Sequence, residues 1–225
     1  MPQSLQATLD FLTDLRFNNY REWFEDNRKR YDQARAAVEA LVAEIIGGFG
    51  GVEDLGKTTP RDCLFRIHRD VRFSKDKTPY KTAMGIVIGN GGRKSTGRSY
   101  YLHIEPAHSS FIAAGVYDPT PEQLKAIRAA IAEDAAPLRK IIAERDFAGY
   151  FGGLEGERLK TPPKGYSADH AAIDLLKHKQ FLASHALTDE DVLREDFAAH
   201  FIAVCAALKP LESYFQDIFR RMPPG

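Results

Sequence analysis

Hydrophobic residues recur at helical spacing in the first quarter of the chain. After a short amphipathic segment at residues 5–15, apolar positions between 24 and 45 alternate at spacings of three and four, which predicts one long helix. Asn18 and Asn19 lie just before this run and are candidate N-caps. The glycine-rich sequence GGFGG at 47–51 ends the helical pattern.

The middle of the chain has a different pattern. Short segments rich in β-branched and aromatic residues are separated there by Gly, Pro, Ser or Asn, which is typical of strands joined by turns. The predicted strands are 63–68, 84–89, 99–105 and 110–116. They predict a mainly antiparallel meander. Because apolar and polar residues alternate incompletely, we expect both faces of this sheet to be covered.

The helical pattern returns in the last part of the chain. Thr120 followed by Pro121 is typical of a helix start, and so is Thr188 followed by three acidic residues. A Pro- and Gly-containing loop at 157–170 separates the two helical stretches. We therefore predict an α+β fold, in which N-terminal and C-terminal helices cover a central, mainly antiparallel sheet of four or more strands.

The chain has no internal repeat and no low-complexity linker, so we expect a single domain over residues 1–225. Its predicted parts are helical at 1–55, a sheet at 60–118 and helical again at 119–225. With 225 residues, of which 44% are hydrophobic, the chain is long enough to bury one well-packed core.

Charge singles out one segment. The whole chain carries 31 basic and 31 acidic residues, so it has no global field that would draw it to nucleic acid or to an anionic membrane. Residues 57–98, however, contain eleven Lys or Arg against three acidic residues, which is a local charge of +8. No apolar run is long enough to span a bilayer, and the first residues lack the basic start of a signal peptide. We therefore expect a cytoplasmic protein with no membrane partner.

The densest positive charge lies in RIHRDVRFSKDKTPYK, at 66–81. Arg offers a planar fork of N–H donors to phosphate or carboxylate, and Lys offers a mobile point charge. We therefore predict a pocket for an anionic small molecule, phosphorylated or carboxylated. Its candidate residues are Arg66, Arg69, Arg72, Lys77, Tyr80 and Lys81. A second basic loop is available to close over this pocket, and its basic residues are Arg158, Lys160 and Lys164.

Polar side chains of two predicted strands complete the candidate site. Alternation along 63–68 and 99–105 brings a polar set to one face of the sheet. That set is Arg66, His68, Tyr101, His103 and Glu105. Among them, His68, His103 and Glu105 are the candidate acids or bases of a reaction. Two histidines on different strands are a weak basis for a metal site, so we expect none.

The stretch 66–80 also carries a resemblance. It matches the pattern R-x-x-R-D-x-R-F-x-x-x-K-x-P-Y without departure. That pattern resembles the signature of a bacterial family of uncharacterised proteins, domain of unknown function 2461. The segments NNYREWFEDNRKRY, YYLHIEP and RLKTPPKGY are also similar to that family, so the resemblance covers nearly the whole chain. It implies a cytoplasmic single-domain protein and assigns no reaction.

Two other functions remain open for the basic segment. A nucleic-acid-binding module would combine its charge with aromatic stacking platforms such as Phe73 and Tyr101, although the neutral total charge makes nucleic acid the less favoured partner. In a purely structural role, an Arg–Asp network would pin the sheet to the helices, with Arg69 and Asp70 as its first candidates. The sequence leaves open which arginines face a pocket and whether bonds are made or broken there.

Overall fold

A computed structural model describes residues 5–223 of the chain. Two compact units can be distinguished along it. The first comprises residues 5–112 and 186–203, and the second comprises residues 113–185 and 204–223. Within the described residues, no helix is both long and apolar enough to cross a bilayer. The organisation of the chain as a single domain stays a prediction.

The first unit begins with three helices. They are α1 (Gln6–Phe17), α2 (Arg21–Asp26) and α3 (Arg28–Gly48). The predicted long helix is therefore interrupted once, at Asn27, which lies between α2 and α3. The predicted N-caps are wrong: Asn18 ends α1, and the side chain of Asn19 bonds the backbone of Tyr80 instead of a helix start.

An aromatic cluster holds these three helices together. The ring of Phe11 on α1 lies 6.2 Å from that of Phe24 on α2 and 5.8 Å from that of Tyr31 on α3, measured between centroids. Phe11 and Phe24 are fully buried. The buried Thr8 hydroxyl donates to the carbonyl of Ala34 at 3.1 Å, which fixes α1 against α3.

The segment 63–68 is not a regular strand, contrary to the prediction. A capping box with proline at the first helical position begins the short helix α4 (Pro60–Cys63) and takes up the first residue of the segment. The rest of the segment, residues 64–68, forms only isolated bridges in the described structure, at Leu64 and at His68. The first of the four predicted strands is therefore absent from the described structure.

The sheet has four antiparallel strands in the order β1-β2-β3-β4. Their bounds are β1 (Met84–Gly89), β2 (Ser99–Ile104), β3 (Ser110–Val116) and β4 (Phe181–Leu187). The first three strands and the α+β class confirm the prediction. The strand β4 was not predicted. One face of β2 is buried, whereas the other, which carries Tyr101 and His103, is half-buried, so the expected cover on both faces is incomplete at β2. In β1, every residue except Val87 is buried.

The turn that follows β2 is held by a side chain from a distant part of the sequence. The Asp189 carboxylate accepts the backbone N–H groups of Ala107 and His108, at 3.1 and 3.0 Å. Both of these residues have a positive φ, an uncommon backbone conformation for non-glycine residues. The Ser110 hydroxyl bonds both backbone groups of Glu105. These bonds fix the position at which Glu105 leaves the sheet.

The remaining helices follow the predicted starts more closely than the predicted lengths. They are α5 (Pro121–Glu133), α6 (Ala136–Ala143), α7 (Arg145–Phe151), α8 (Ile173–Leu176), α9 (Asp189–Val192) and α10 (Phe197–Arg220). Thr120 and Thr188 cap α5 and α9 as predicted. The predicted last helix is interrupted between α9 and α10, and Pro210 lies inside α10. In the core of the second unit, the rings of Phe181 and Phe215 lie 5.6 Å apart.

Candidate functional site

A cleft of about 420 Å³ lies in the first unit along the half-buried face of β2 and beside Gly85 of β1. This volume is within the range of small-molecule sites. The end of the basic stretch forms part of its wall, and polar side chains of β2 form another part. Among the site residues predicted from the sequence, the cleft brings together Arg69, Tyr80, Lys81, His103 and Glu105.

Four other predicted residues lie outside the lining of the cleft. They are Arg66, His68, Arg72 and Lys77. The ring of His68 lies against those of Phe24 and Tyr80, with centroids 6.1 and 5.2 Å away. His68 therefore does not share a face with His103. The predicted alternation is wrong here because the segment 63–68 is not a strand of the sheet.

Arg69 is tied to its own loop. Its guanidinium donates to the carboxylate of Asp76 and to the hydroxyl of Thr78. The N–H of Thr78, together with the bond from Arg69, lowers the pKa of Asp76 to about 2. Because all three groups belong to residues 69–78, this network closes the loop on itself and does not connect the sheet to the helices.

Arg72 and Lys77 are also occupied within the loop. The Arg72 guanidinium makes two bonds to the Asp70 carboxylate, at 3.0 and 2.7 Å, and these bonds lower the pKa of Asp70. The Lys77 ammonium donates to the carbonyl of Val71 at 2.9 Å. Three of the six basic residues of 66–81, namely Arg69, Arg72 and Lys77, are therefore neutralised or bonded within the loop.

The exit of the loop is fastened to the helical part of the unit by Asn19. Its side-chain amide donates to the carbonyl of Tyr80 at 3.0 Å and accepts the N–H of the same residue at 3.0 Å. The Tyr80 ring stacks on Phe24 with centroids 4.0 Å apart and is 4% exposed. Tyr80 is therefore a fixed wall of the cleft, and it positions the next residue, Lys81.

Lys81 is the one predicted cation of the cleft with no carboxylate partner among residues 5–223. Its ammonium lies 5.1 Å from the centre of the Phe65 ring, and no hydrogen bond or ion pair of this group is present within that range. Burial lowers the pKa of Lys81, and the nearby charges of Arg66 and Arg93 lower it further. A half-buried cation beside two other cations is a site of positive potential that an anion would stabilise.

A chain of hydrogen bonds runs along β2 on the opposite wall. The Tyr101 hydroxyl lies 3.1 Å from Nδ1 of His103, and Nε2 of His103 lies 2.9 Å from Oε2 of Glu105. The residues have spacing two, so their side chains leave the same face of the strand. A carboxylate can only accept, so the bond to Glu105 places the hydrogen of the neutral imidazole on Nε2 and leaves Nδ1 to accept from Tyr101.

Glu105 is ionised and anchored on several sides. Arg16 donates to its Oε1 at 2.9 Å and the Thr82 hydroxyl donates to the same atom at 3.1 Å. Burial alone would raise the pKa of Glu105, but the bonds from His103, Arg16 and Thr82 outweigh burial and leave the pKa below its usual value. Burial, and then the charge of Glu105, raise the pKa of Tyr101.

Glycine at position 85 makes room for the Tyr101 hydroxyl. A Cβ atom there would lie 2.8 Å from Tyr101 Oη and 3.2 Å from the Phe65 ring. Gly85 pairs directly with His103 across β1 and β2. Any larger residue would push the hydroxyl from its place beside Nδ1.

The second basic loop belongs to the second unit. Arg158, Lys160 and Lys164 are exposed there. Arg158 donates to the carbonyl of Leu154 at 3.2 Å and lines a pocket of that unit with Arg139 and His178. The closure of this second basic loop over residues 66–81 stays a prediction.

Sequence reasoning missed several residues that build the cleft. Asn19, a predicted helix cap, instead fastens the exit of the loop, and Phe65 is not among the predicted site residues. Arg16 and Thr82, which fix Glu105, were not singled out. No local signal marks Arg16, because its partner is 89 residues away in the chain. Among the described residues, no three His, Cys, Asp or Glu side chains lie together as a metal site would require.

Comparisons with known proteins give one result. Neither the curated proteins nor the solved structures contain a match to this chain. A family model described as "Conserved hypothetical protein (DUF2461)" matches residues 7–214. The match covers most of the chain, including the basic stretch and the strands that line the cleft, so the chain belongs to the DUF2461 family of conserved hypothetical proteins.

Proposed function

We propose that the cleft binds a small molecule carrying a phosphate or a carboxylate, with Lys81 as the central cation. The observation that carries this proposal is the half-buried Lys81 ammonium, which has neighbouring cations but no carboxylate partner among the described residues. An anion placed there would form an ion pair that Lys81 makes with none of the described residues. The ring of Phe65 and the strand face provide apolar contact for the rest of the molecule.

The proposal narrows the set of anion-binding residues. Lys81 makes the contact, and Arg66 adds long-range attraction from outside the cleft lining. Arg69 and Tyr80 shape the wall, whereas Arg72 and Lys77 hold the loop together. Arg69 remains a weaker donor to the ligand, because its guanidinium already serves Asp76 and Thr78.

Thermal-shift measurements with a panel of nucleotides, sugar phosphates and dicarboxylates test the proposal. At a concentration about 100 times the Kd, a ligand stabilises the folded state by about 2.7 kcal/mol, which for a protein of this size raises Tm by about 5 °C or more. We expect at least one anion to reach this value over sodium chloride of equal ionic strength. Lys81→Met should abolish the effect, and Arg72→Ala should keep it.

Two results would contradict the proposal. One is the absence of any stabilisation beyond that of plain salt. The other is equal stabilisation of the wild type and Lys81→Met, because the ligand would then bind elsewhere.

One observation favours a second candidate function, the binding of single-stranded nucleic acid. Phe73 is 95% exposed at the tip of the basic loop, with the Arg72 guanidinium 5.9 Å from its ring centre. An exposed aromatic ring among cations is a stacking platform for a base. Filter binding at several salt concentrations tests this candidate. Nucleic-acid binding requires a steep loss of affinity with salt and a further loss in Phe73→Ala, and a flat salt response excludes it.

A further inference from the structure

The hydrogen-bonded chain on β2 has the arrangement of an activated nucleophile. A weak nucleophile becomes reactive when a base lies within hydrogen-bond reach and a third group orients that base. Tyr101, His103 and Glu105 meet this geometry with distances of 3.1 and 2.9 Å. All three line the cleft.

The direction of the bonds assigns the roles. Because Glu105 accepts from Nε2, the lone pair of Nδ1 faces the Tyr101 hydroxyl and can take its proton. The stacking of the His103 ring on Phe111, with centroids 4.7 Å apart, holds the imidazole in this orientation. The oxygen of Tyr101 is then free to form a new bond on its cleft side.

We infer that Tyr101 is the catalytic nucleophile of an acyl-transfer reaction, with His103 as its base and Glu105 as the positioning residue of His103. The inference rests on the proposed function, because the anionic group of the substrate would be held at Lys81. It extends that function from binding to chemistry.

The substrate class follows from the acidity of a phenol. Transfer of an acyl group onto Tyr101 is favourable only from a leaving group that is more acidic than a phenol, whose ordinary pKa is about 10. Acyl phosphates and thioesters satisfy this condition, and alkyl esters do not. The substrate is therefore an activated acyl compound that carries a phosphate or a carboxylate.

The reaction has two balanced steps. In the first, the Tyr101 oxygen bonds to the acyl carbon and the bond to the leaving group breaks. The Tyr101 proton moves to Nδ1 of His103, which then passes it to the leaving group or to solvent. In the second, water attacks the tyrosyl ester and gives a proton to Nδ1. The released phenolate takes that proton back, so both side chains return to their starting state.

An electrophile that carries its own anion tests the inference without the natural substrate. The probe is 4-(fluorosulfonyl)benzoate, whose carboxylate fits the Lys81 end and whose sulfonyl fluoride sulfonylates an activated phenol with release of fluoride. We expect peptide mass spectrometry to find the label on Tyr101 before the more exposed Tyr20, which is 51% exposed. General-base assistance is worth about 10² to 10⁴ in rate, so His103→Gln should slow labelling by at least about 100-fold.

Three control variants distinguish the role of Tyr101 as nucleophile from the binding of the anion at Lys81. Tyr101→Phe should remove the label and keep the thermal stabilisation by bound anion, which a merely structural role of Tyr101 does not explain. Gly85→Ala should also slow labelling, because its Cβ displaces the hydroxyl from Nδ1. Lys81→Met should raise the probe concentration needed for half-maximal labelling.

The outcomes of the inference and of the proposed function are distinguishable. Equal labelling rates in the wild type and His103→Gln, or labelling of Tyr20 in preference to Tyr101, would overturn the nucleophile. If Tyr101 is labelled rapidly but neither Lys81→Met nor added inorganic phosphate changes the reaction, the nucleophile stands and anion binding at Lys81 fails.

Discussion

The basic loop of residues 66–81 and the half-buried face of β2 both contribute to the cleft, but they hold their charges differently. In the loop, each acid lies within seven residues of the arginine it bonds, as Asp76 does with Arg69 and Asp70 with Arg72. On β2, Glu105 is bonded by Arg16, which is 89 residues away, and by Thr82. Local pairs fix the shape of a loop. Distant pairs fix a side chain relative to other elements of the fold, which is what a reactive site requires.

The basic residues of 66–81 are therefore not equally available to a ligand. A count of charges along the chain counts every Lys and Arg as available. Lys81 has no acidic partner among residues 5–223, whereas Arg69 and Arg72 bond the carboxylates within their own loop. The loop thus supports the cleft wall and ends at Lys81, the cation of the proposed anion site.

The largest expected difference between the two regions concerns their acids. Glu105→Gln removes the charge that Arg16, His103 and Thr82 share, and the loss of these partly buried bonds should lower the free energy of unfolding by about 1 to 3 kcal/mol. Asp76→Asn, the matched change in the exposed loop, should lower the free energy of unfolding by less, because solvent screens the charges there. Equal losses in the two variants, measured by urea unfolding, would contradict the distinction between them.

A smaller effect is expected where the loop is fastened to the helices. Asn19→Ala leaves both backbone groups of Tyr80 without their partner, which should cost about 1 kcal/mol and increase hydrogen exchange at the Tyr80 amide. Asn18→Ala is the control, because the Asn18 side chain bonds the carbonyl of Asp14 within α1 and not the basic loop. If both variants leave the Tyr80 amide equally protected, the loop does not depend on Asn19.

The smallest expected effect is a loss of stability of the loop at acidic pH. The pKa of Asp76 is lowered from 3.8 to about 2, so its bonds stabilise the folded loop fully above about pH 4. That stabilisation is lost as the pH falls towards 2, because the unfolded carboxyl binds its proton first. NMR titration of the side-chain carboxyl carbons should show this low midpoint in the wild type. Arg69→Ala should raise the midpoint, and an unchanged midpoint would mean that Arg69 does not bond Asp76 in solution.

The strands β1, β2 and β3 could be predicted because each has local evidence in the sequence. Their β-branched and aromatic residues lie between turn residues, so the pattern alone marks their ends. The strand β4, with the sequence FLASHAL, has no β-branched residue and gives no such signal. It forms a strand because it pairs with β3, and pairing between residues so far apart cannot be inferred from local composition.

The residues of the candidate site could likewise be predicted from the sequence only in part. Alternation along β2 correctly placed Tyr101, His103 and Glu105 on one face. The same rule failed for Arg66 and His68, because the helical turn α4 precedes them and residues 64–68 form only isolated bridges. A side-chain pattern predicts a common face only where the backbone is a regular strand.

In the proposed function the anion binds at the cleft face of Lys81 and not at the outer loop. Titration of the ¹⁵N-labelled protein with inorganic phosphate, at constant ionic strength, distinguishes these two positions. Binding at Lys81 should give saturable shifts at the amides of Lys81, Gly85 and Tyr101, and these shifts should be lost in Lys81→Met. Saturable shifts confined to residues 70–77, or shifts that persist unchanged in Lys81→Met, would contradict it.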